Sequence, residues 1–178
     1  MSILASRGPS QSMVRGPEFD DAELTEISAR FEGLPATAAI EWAVDQFHPF
    51  LCLSASMTDA VLIDVATSVE PSIEVVFIDT GYHFPQTLET AQGVRQRYGL
   101  NLRIMTVPPQ PVALWRTDPA GCCSAAKVDQ LDRALHGKLA WMSGLRRAEA
   151  PTRCQRPHRG PRPARPGQGQ PHRHLVGW

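Results

Sequence analysis

The chain has 178 residues, a length that suits one globular domain with additional tails. Apolar residues make up 42% and charged residues 20%, which is ordinary for a water-soluble α/β protein. The formal net charge is zero and no apolar run approaches the roughly 20 residues of a membrane span, so the composition favours neither a nucleic-acid-binding nor a membrane protein.

Residues 1–17 contain Ser, Gly and Pro but no apolar stretch of the signal-peptide kind, and we interpret them as a disordered leader. A protein without an export signal is expected in the cytoplasm, where thiols stay reduced. The four cysteines, Cys52, Cys122, Cys123 and Cys154, are therefore expected as thiols or metal ligands.

Residues 18–153 show alternating helix and strand patterns and are interpreted as one domain. Apolar residues at helical spacing predict helices over 20–32, 37–47, 58–68, 86–98 and 127–135. Short apolar and β-branched runs predict strands over 50–54, 73–78, 102–107 and 139–143. Strands that alternate with helices predict an α/β fold, with a mostly parallel sheet flanked by helices.

Parallel sheets of this kind bind ligands beyond the carboxyl ends of their strands. The first strand is followed by Ser54, Ala55 and Ser56, small residues that let the backbone approach a phosphate near a helix N-terminus. The alternative is an ordinary strand-to-helix turn with a Ser N-cap, since no glycine is present.

The second strand runs into Asp79, Thr80 and Gly81. Asp79 and the exposed backbone can hold a ribose or purine, and Gly81 permits a turn with positive φ. The alternative is a turn closed by the Asp side chain. His83 follows directly, and a histidine in this position is more often packed or on the surface than catalytic.

Adjacent cysteines, Cys122 and Cys123, lie before the last predicted helix. Thiolates are ligands for iron–sulfur clusters, although these two would supply half of the usual four. Lys127 lies one helical turn beyond and can compensate the charge of a cluster or substrate. The alternative is a pair of small buried apolar residues.

Arginines follow the Gly turn after the fourth predicted strand, at Arg146, Arg147 and Arg153. Guanidinium groups donate two hydrogen bonds in parallel to phosphate or sulfate, so the three can form an anion clamp. The alternative is a solvated basic loop.

Together and in this order, these motifs resemble the adenosine-phosphosulfate and phosphoadenosine-phosphosulfate reductases over residues 38–153. The strongest elements are residues 76–85, the cysteine doublet with Lys127, and residues 143–153. The resemblance implies a Rossmann-like adenine-nucleotide α-hydrolase fold, and the doublet points to the iron–sulfur branch.

The family resemblance implies thioredoxin-dependent reduction of adenosine 5′-phosphosulfate to sulfite and AMP, in assimilatory sulfate reduction and cysteine biosynthesis. It implies that residues 54–56 and 79–81 contact the nucleotide, that the three arginines face the phosphosulfate, and that Lys127 lies between the substrate and a [4Fe-4S] cluster. A C-terminal cysteine would attack the sulfur as a thiolate, and thioredoxin would then release sulfite. A homo-oligomer is also compatible with the resemblance.

The sequence departs from the family at several positions. Ala126 stands where the family has Arg, and neither the second cysteine pair, Cys-x-x-Cys, nor the ending with the nucleophilic cysteine is present. Cys154 lies in the wrong context to replace either. We therefore expect this chain to be inactive by itself and to hold a cluster poorly.

Residues 154–178 contain five Arg, three His, five Pro and four Gly but no Asp or Glu, a composition that predicts a disordered basic tail. Reverse translation with a one-base shift yields a family-like continuation that includes Val-Lys-Val-Asn-Pro. Our hypothesis is a frameshift near Arg153, and the alternative is a genuine Pro/Arg-rich tail.

Three other functions stay open at this point. One is a catalytically dead fragment that binds adenine nucleotides. Another is an ATP pyrophosphatase or sulfate adenylyltransferase small subunit, but those predict a Ser-Gly-Gly-x-Asp-Ser loop that residues 54–59 lack. The last is a binding module without chemistry.

Overall fold

The computed structural model describes residues 16–108, 125–144 and 173–176. The helices are α1 (Asp21–Phe31), α2 (Ala36–Phe47), α3 (Val61–Val69), α4 (Pro85–Tyr98) and α5 (Ala125–Leu135). The strands are β1 (Leu51–Ser54), β2 (Glu74–Asp79), β3 (Asn101–Thr106), β4 (Ala140–Ser143) and β5 (Arg173–Val176). They form one parallel sheet in the order β3-β2-β1-β4-β5.

The strand order places β1 at the centre of the sheet. The chain runs outward from β1 through β2 to β3 and then returns to the other side of β1 as β4. The direction of winding therefore reverses between β1 and β4, whose last residues, Ser54 and Ser143, lie in register. A reversal of this kind opens a crevice at the carboxyl ends of the strands, where ligands bind in open α/β sheets.

Alternate residues of the central strands point to opposite faces of the sheet, and both faces are covered. In β1, Leu51 and Leu53 belong to one apolar cluster and Cys52 to the other. Helices α2, α3 and α4 contribute to the first cluster, and α5 contributes to the second. Burial on both faces explains why β1 reads as a continuous apolar run in the sequence.

Helix α1 has no fully buried residue and is held by its start and by aromatic contacts. Asp20 and Glu23 form a reciprocal capping box, in which each side chain accepts a backbone N–H of the other, at 2.8 and 2.7 Å. The ring of Trp42 in α2 lies 5.6 Å from Phe19 and 5.9 Å from Phe31. These contacts attach α1 to the outer surface of α2.

Charged side chains gather at the amino ends of the strands. Glu74, at the start of β2, accepts a hydrogen bond from Lys138 at 2.6 Å and one from Arg103 of β3 at 3.4 Å. Lys138 and Glu74 are both largely shielded from water, and a charged group in such a place is costly unless an opposite charge compensates it, as each does for the other. This ion-pair cluster occupies the end of the sheet opposite to the crevice.

The predicted helices and strands of residues 18–153 are confirmed, with one notable difference in boundary. Helix α3 begins at Val61 rather than at residue 58, because Ala60 is its N-cap residue and the Asp59 carboxylate accepts the N–H of Val61. Among the described residues, no helix is long and apolar enough to cross a membrane.

Four residues of the predicted disordered tail differ from expectation. Arg173–Val176 form β5, which pairs in parallel with β4 at the edge of the sheet. Strand pairing uses backbone N–H and C=O groups, so it does not need the apolar periodicity that the tail lacks. The remainder of the predicted tail and the predicted leader up to residue 15 lie outside the described residues.

Candidate functional site

The turn after β1 leaves the sheet in two steps. Ala55 N–H still donates to the carbonyl of Val76 in β2 at 3.0 Å, and the chain then turns away. Ser56 is exposed, and its hydroxyl lies 2.9 Å from that of Thr58. Met57 adopts the left-handed conformation and is 2% exposed, so its side chain anchors the turn in the core. The turn therefore exposes the polar side chains of Ser56 and Thr58, while the buried Met57 side chain between them attaches it to the core.

The start of α3 is capped by an acidic residue rather than by serine. Asp59 Oδ1 accepts the backbone N–H of Val61 at 3.1 Å, and the N-cap residue, Ala60, makes no side-chain cap hydrogen bond. The alternative of a Ser N-cap is therefore wrong for this turn. The hydroxyls of Ser54 and Ser56 are not committed to capping the helix.

The turn after β2 is closed by its own side chains. Asp79 Oδ1 accepts the N–H of Gly81 at 2.8 Å, and Thr80 Oγ1 accepts the N–H of Tyr82 at 3.4 Å. Gly81 has a φ of 74°, as predicted, and it is exposed. The Asp-closed turn proposed as an alternative is thus the observed geometry, and it is compatible with binding because it shapes the exposed backbone.

The end of β4 closes the other side of the crevice. Ser143 is 8% exposed and lies in register with Ser54. A Cβ atom added to Gly144 would lie 3.4 Å from the side chain of Leu62 in α3, so β4 ends against the first turn of that helix.

The structure brings two of the predicted site segments to neighbouring strand ends. Ser54, Ala55 and Ser56 follow β1, and Asp79–Gly81 follow β2, which pairs directly with β1. Lys127 lies in the first turn of α5, the helix that covers the second face of the sheet, and it is half-buried. The remaining predicted residues lie outside the described ranges: Cys122, Cys123, Arg146, Arg147 and Arg153.

Sequence reasoning missed the part played by Met57. Positive φ is uncommon for a residue other than glycine, so nothing in the sequence marks this methionine as left-handed or as buried in the core. It also gave little weight to His83, whose Nε2 lies 3.0 Å from the carbonyl oxygen of Ile78. The one signal in the sequence was that His83 lies two residues after Gly81, directly beside the predicted turn.

Cys52 is a structural thiol. It is fully buried in the middle of β1, and this burial raises its pKa from 9.0 to about 12. Smaller electrostatic effects come from Lys138, which lowers the pKa, and from Glu74, which raises it. A thiol in this environment stays protonated at neutral pH and is a poor metal ligand.

A family model for the phosphoadenosine phosphosulfate reductase domain matches residues 48–160, more than half of the chain. The chain belongs to this family. The match includes both turns described above and the strands that carry them. The family membership and the α/β fold predicted from the sequence are thereby confirmed.

Curated relatives carry the name adenosine 5′-phosphosulfate reductase. The protein from Rhodococcus erythropolis is 36% identical and aligns with 76% of this chain and 64% of its own length. That from Streptomyces coelicolor is 37% identical, with 80% and 58% covered. That from Mycobacteroides abscessus is 36% identical, with 73% and 58% covered. The chain thus spans about three fifths of the length of these reductase-family relatives.

Solved structures support the same fold. A phosphoadenylyl-sulfate reductase from Candida auris, in a phosphate complex, superposes with a TM-score of 0.69 at 21% identity, covering 92% of this chain and 83% of that one. A Candida glabrata FMN adenylyltransferase with FAD and pyrophosphate gives 0.54 at 11% identity, covering 87% and 60%. At these identities the likeness concerns the fold alone.

We expect Gly81→Ala and Gly93→Ala to change stability in opposite directions. Neither glycine has an atom within 4 Å of an added Cβ, so only backbone preference differs. At Gly81 the positive φ should make alanine destabilising by about 1 kcal/mol, whereas at Gly93, an exposed position of helix α4, alanine should stabilise the protein by roughly 0.5–1 kcal/mol. Urea unfolding measures the change in the free energy of unfolding of both variants, and a change of the same sign in both would contradict the observed turn.

We expect Cys52 to resist alkylation in the folded protein at pH 8 and to react once urea unfolds it, as followed by peptide mass spectrometry. Because folding raises its pKa, the thiol contributes full stability below pH 9, and this stability is lost as the pH rises from 9.0 towards about 12. Cys52→Ser should flatten that part of the stability profile. Rapid labelling of native Cys52 would contradict its assignment as a buried thiol.

Proposed function

We propose that the chain is the nucleotide-binding part of a thioredoxin-dependent adenosine 5′-phosphosulfate reductase that forms AMP and sulfite. The observation that carries the proposal is the placement of two turns, Ser54–Ser56 and Asp79–Gly81, at adjacent carboxyl ends of a parallel sheet in a member of this family. The names of the curated relatives support the choice of substrate.

In this proposal each of the two turns contacts a different part of the nucleotide. The Ser54–Ser56 turn has a half-buried start and an exposed end, which suits contact of its backbone and hydroxyls with the nucleotide phosphate. The Asp79–Gly81 turn offers exposed backbone to the ribose or purine, with Asp79 holding the turn in shape. Both turns rest on buried strands, so little conformational entropy is lost on binding.

The phosphosulfate is assigned to basic residues. Arg146, Arg147 and Arg153 follow β4 in the sequence, and β4 ends beside β1; we propose that these three arginines face the phosphosulfate. Guanidinium groups suit the paired oxygens of phosphate and sulfate. Lys127 is proposed to add a further positive charge from α5.

The reaction assigned to the whole enzyme requires a nucleophilic thiolate. The thiolate attacks the sulfur of the substrate, an S–S bond forms, and the S–O bond breaks as AMP leaves. A thioredoxin thiolate then attacks the enzyme sulfur, and a mixed disulfide forms as sulfite leaves with the electron pair of the broken S–S bond. The second thioredoxin thiolate breaks the mixed disulfide, which releases the enzyme thiolate and leaves thioredoxin oxidised to a disulfide. Cys52 cannot supply the nucleophile because it is buried and protonated.

The cysteines of this chain do not fit a four-cysteine cluster. Of the four, Cys52 is excluded by burial, which leaves Cys122, Cys123 and Cys154, all outside the described residues. Within the described parts of the chain, no group of three or more His, Cys, Asp or Glu side chains is arranged to hold a metal ion. We propose that the chain by itself does not hold a [4Fe-4S] cluster stably.

Cys52, the one cysteine within the described residues, is buried and protonated, and this observation favours a second candidate, an adenine-nucleotide-binding fragment without turnover. Both candidates share the same nucleotide site and differ only in chemistry.

A cytoplasmic location and assembly into a homo-oligomer are further parts of the proposal. Thioredoxin is the proposed electron donor for the catalytic form.

We expect the chain to bind AMP and adenosine 5′-phosphosulfate in calorimetric titrations. Ser56→Ala should weaken both roughly fivefold, since one neutral hydrogen bond contributes about 1 kcal/mol. The matched control is Ser68→Ala, because Ser68 is equally exposed but bonds only within α3. Equal affinities of the two variants would contradict the assignment of the Ser54–Ser56 turn.

We expect anaerobically purified protein to show little absorbance at about 400 nm, because two or three available thiolates are fewer than the four that hold a cluster. A thioredoxin-coupled assay of sulfite release should show no turnover. A stoichiometric cluster that survives gel filtration would contradict the ligand argument. Measurable turnover would instead exclude the candidate without chemistry.

A further inference from the structure

The backbone carbonyl of Ile78 lies just beyond the strand pairing of β1 with β2. Val76 and Ile78 lie two residues apart in β2, so their carbonyl groups point to the same neighbouring strand. The Val76 carbonyl accepts the N–H of Ala55, the last such bond before β1 turns away. The next carbonyl on that side, that of Ile78, therefore lies beyond the end of the pairing with β1, where a side chain can donate to it.

His83 supplies that donor. Its Nε2 lies 3.0 Å from the carbonyl oxygen of Ile78, and a carbonyl oxygen can only accept, so Nε2 donates in this hydrogen bond. The imidazole also packs on the ring of Phe77, with centroids 5.0 Å apart. Phe77 is 1% exposed and belongs to the main core. The ring of His83 is thus fixed by one hydrogen bond and one aromatic contact.

The bond from His83 to Ile78 encloses the second turn of the site. Residues 79–82 lie between its two ends, and within them Asp79 and Thr80 hold the N–H groups of Gly81 and Tyr82. On its other side, Asp79 is tied to the sheet, because its carbonyl accepts the N–H of Val107 at 2.8 Å. The turn is therefore held at both ends, and His83 provides the attachment on the side of β1.

We propose that His83 is a positioning residue that fixes the Asp79–Gly81 turn relative to the Ser54–Ser56 turn and so sets the geometry of the nucleotide site. The inference rests on the proposed function, which assigns both turns to the nucleotide. His83 acts through the backbone of the turn and needs no contact with the reacting atoms. Its substitution should affect ligand affinity beyond any effect on folding.

Three substitutions separate the hydrogen bond from the ring contact. In His83→Gln the amide nitrogen can take the place of Nε2, whereas in His83→Asn it takes the place of Nδ1 and cannot reach the Ile78 carbonyl. In His83→Phe the aromatic contact with Phe77 is kept and the donor is lost. Binding of AMP is measured by calorimetry at a temperature where circular dichroism shows every variant folded.

We expect AMP affinity to fall roughly tenfold in His83→Phe and His83→Asn, and to stay within about twofold of wild type in His83→Gln. Hydrogen exchange at Gly81 and Tyr82 in the free protein should accelerate in the same two variants only. A purely structural role would lower the unfolding temperature of these variants and leave AMP affinity unchanged, and that result would overturn the proposal. If wild type binds AMP and all variants match it, the proposed function stands and the positioning role fails; if wild type binds no AMP, both fail.

Discussion

The parallel pairing of β1 with β2 on one side and β4 on the other is the constraint on which the rest of the structure depends. Parallel strands end at the same edge of a sheet, so this pairing gathers turns that are distant in sequence. Ser54 and Ser143 are almost ninety residues apart in the chain and lie in register. The candidate site is a consequence of this topology before it is a matter of individual side chains.

The central position of β1 also decides what its residues can do. Leu51, Cys52 and Leu53 are buried, because helices cover both faces of the sheet. A thiol in such a strand is desolvated and stays neutral, so it contributes to packing and not to redox chemistry. Polar groups occur where the strands end, and there the carbonyl of Ile78 in β2 accepts a hydrogen bond from a side chain, that of His83.

Much of the fold could be predicted because periodicity reports burial directly. The helices and strands of residues 18–153 follow from apolar spacing, and the predicted site turns do lie at strand ends. The start of α3 was misplaced because apolar spacing does not show that Asp59 accepts the N–H of Val61 and that Ala60 is the N-cap residue. Strand β5 was missed because backbone pairing at a sheet edge leaves little trace in composition.

The sequence by itself determined the order of elements, the motifs at the strand ends and the membership of the reductase family, since each depends on residues close together in the chain. Only the tertiary structure decided that β1 lies between β2 and β4, and that Asp79 closes its own turn. It also decided that the Ile78 carbonyl, which lies beyond the pairing with β1, accepts a hydrogen bond from His83. The physical reason is that hydrogen-bond partners across a sheet are chosen by which strands become neighbours, and local spacing does not encode that choice.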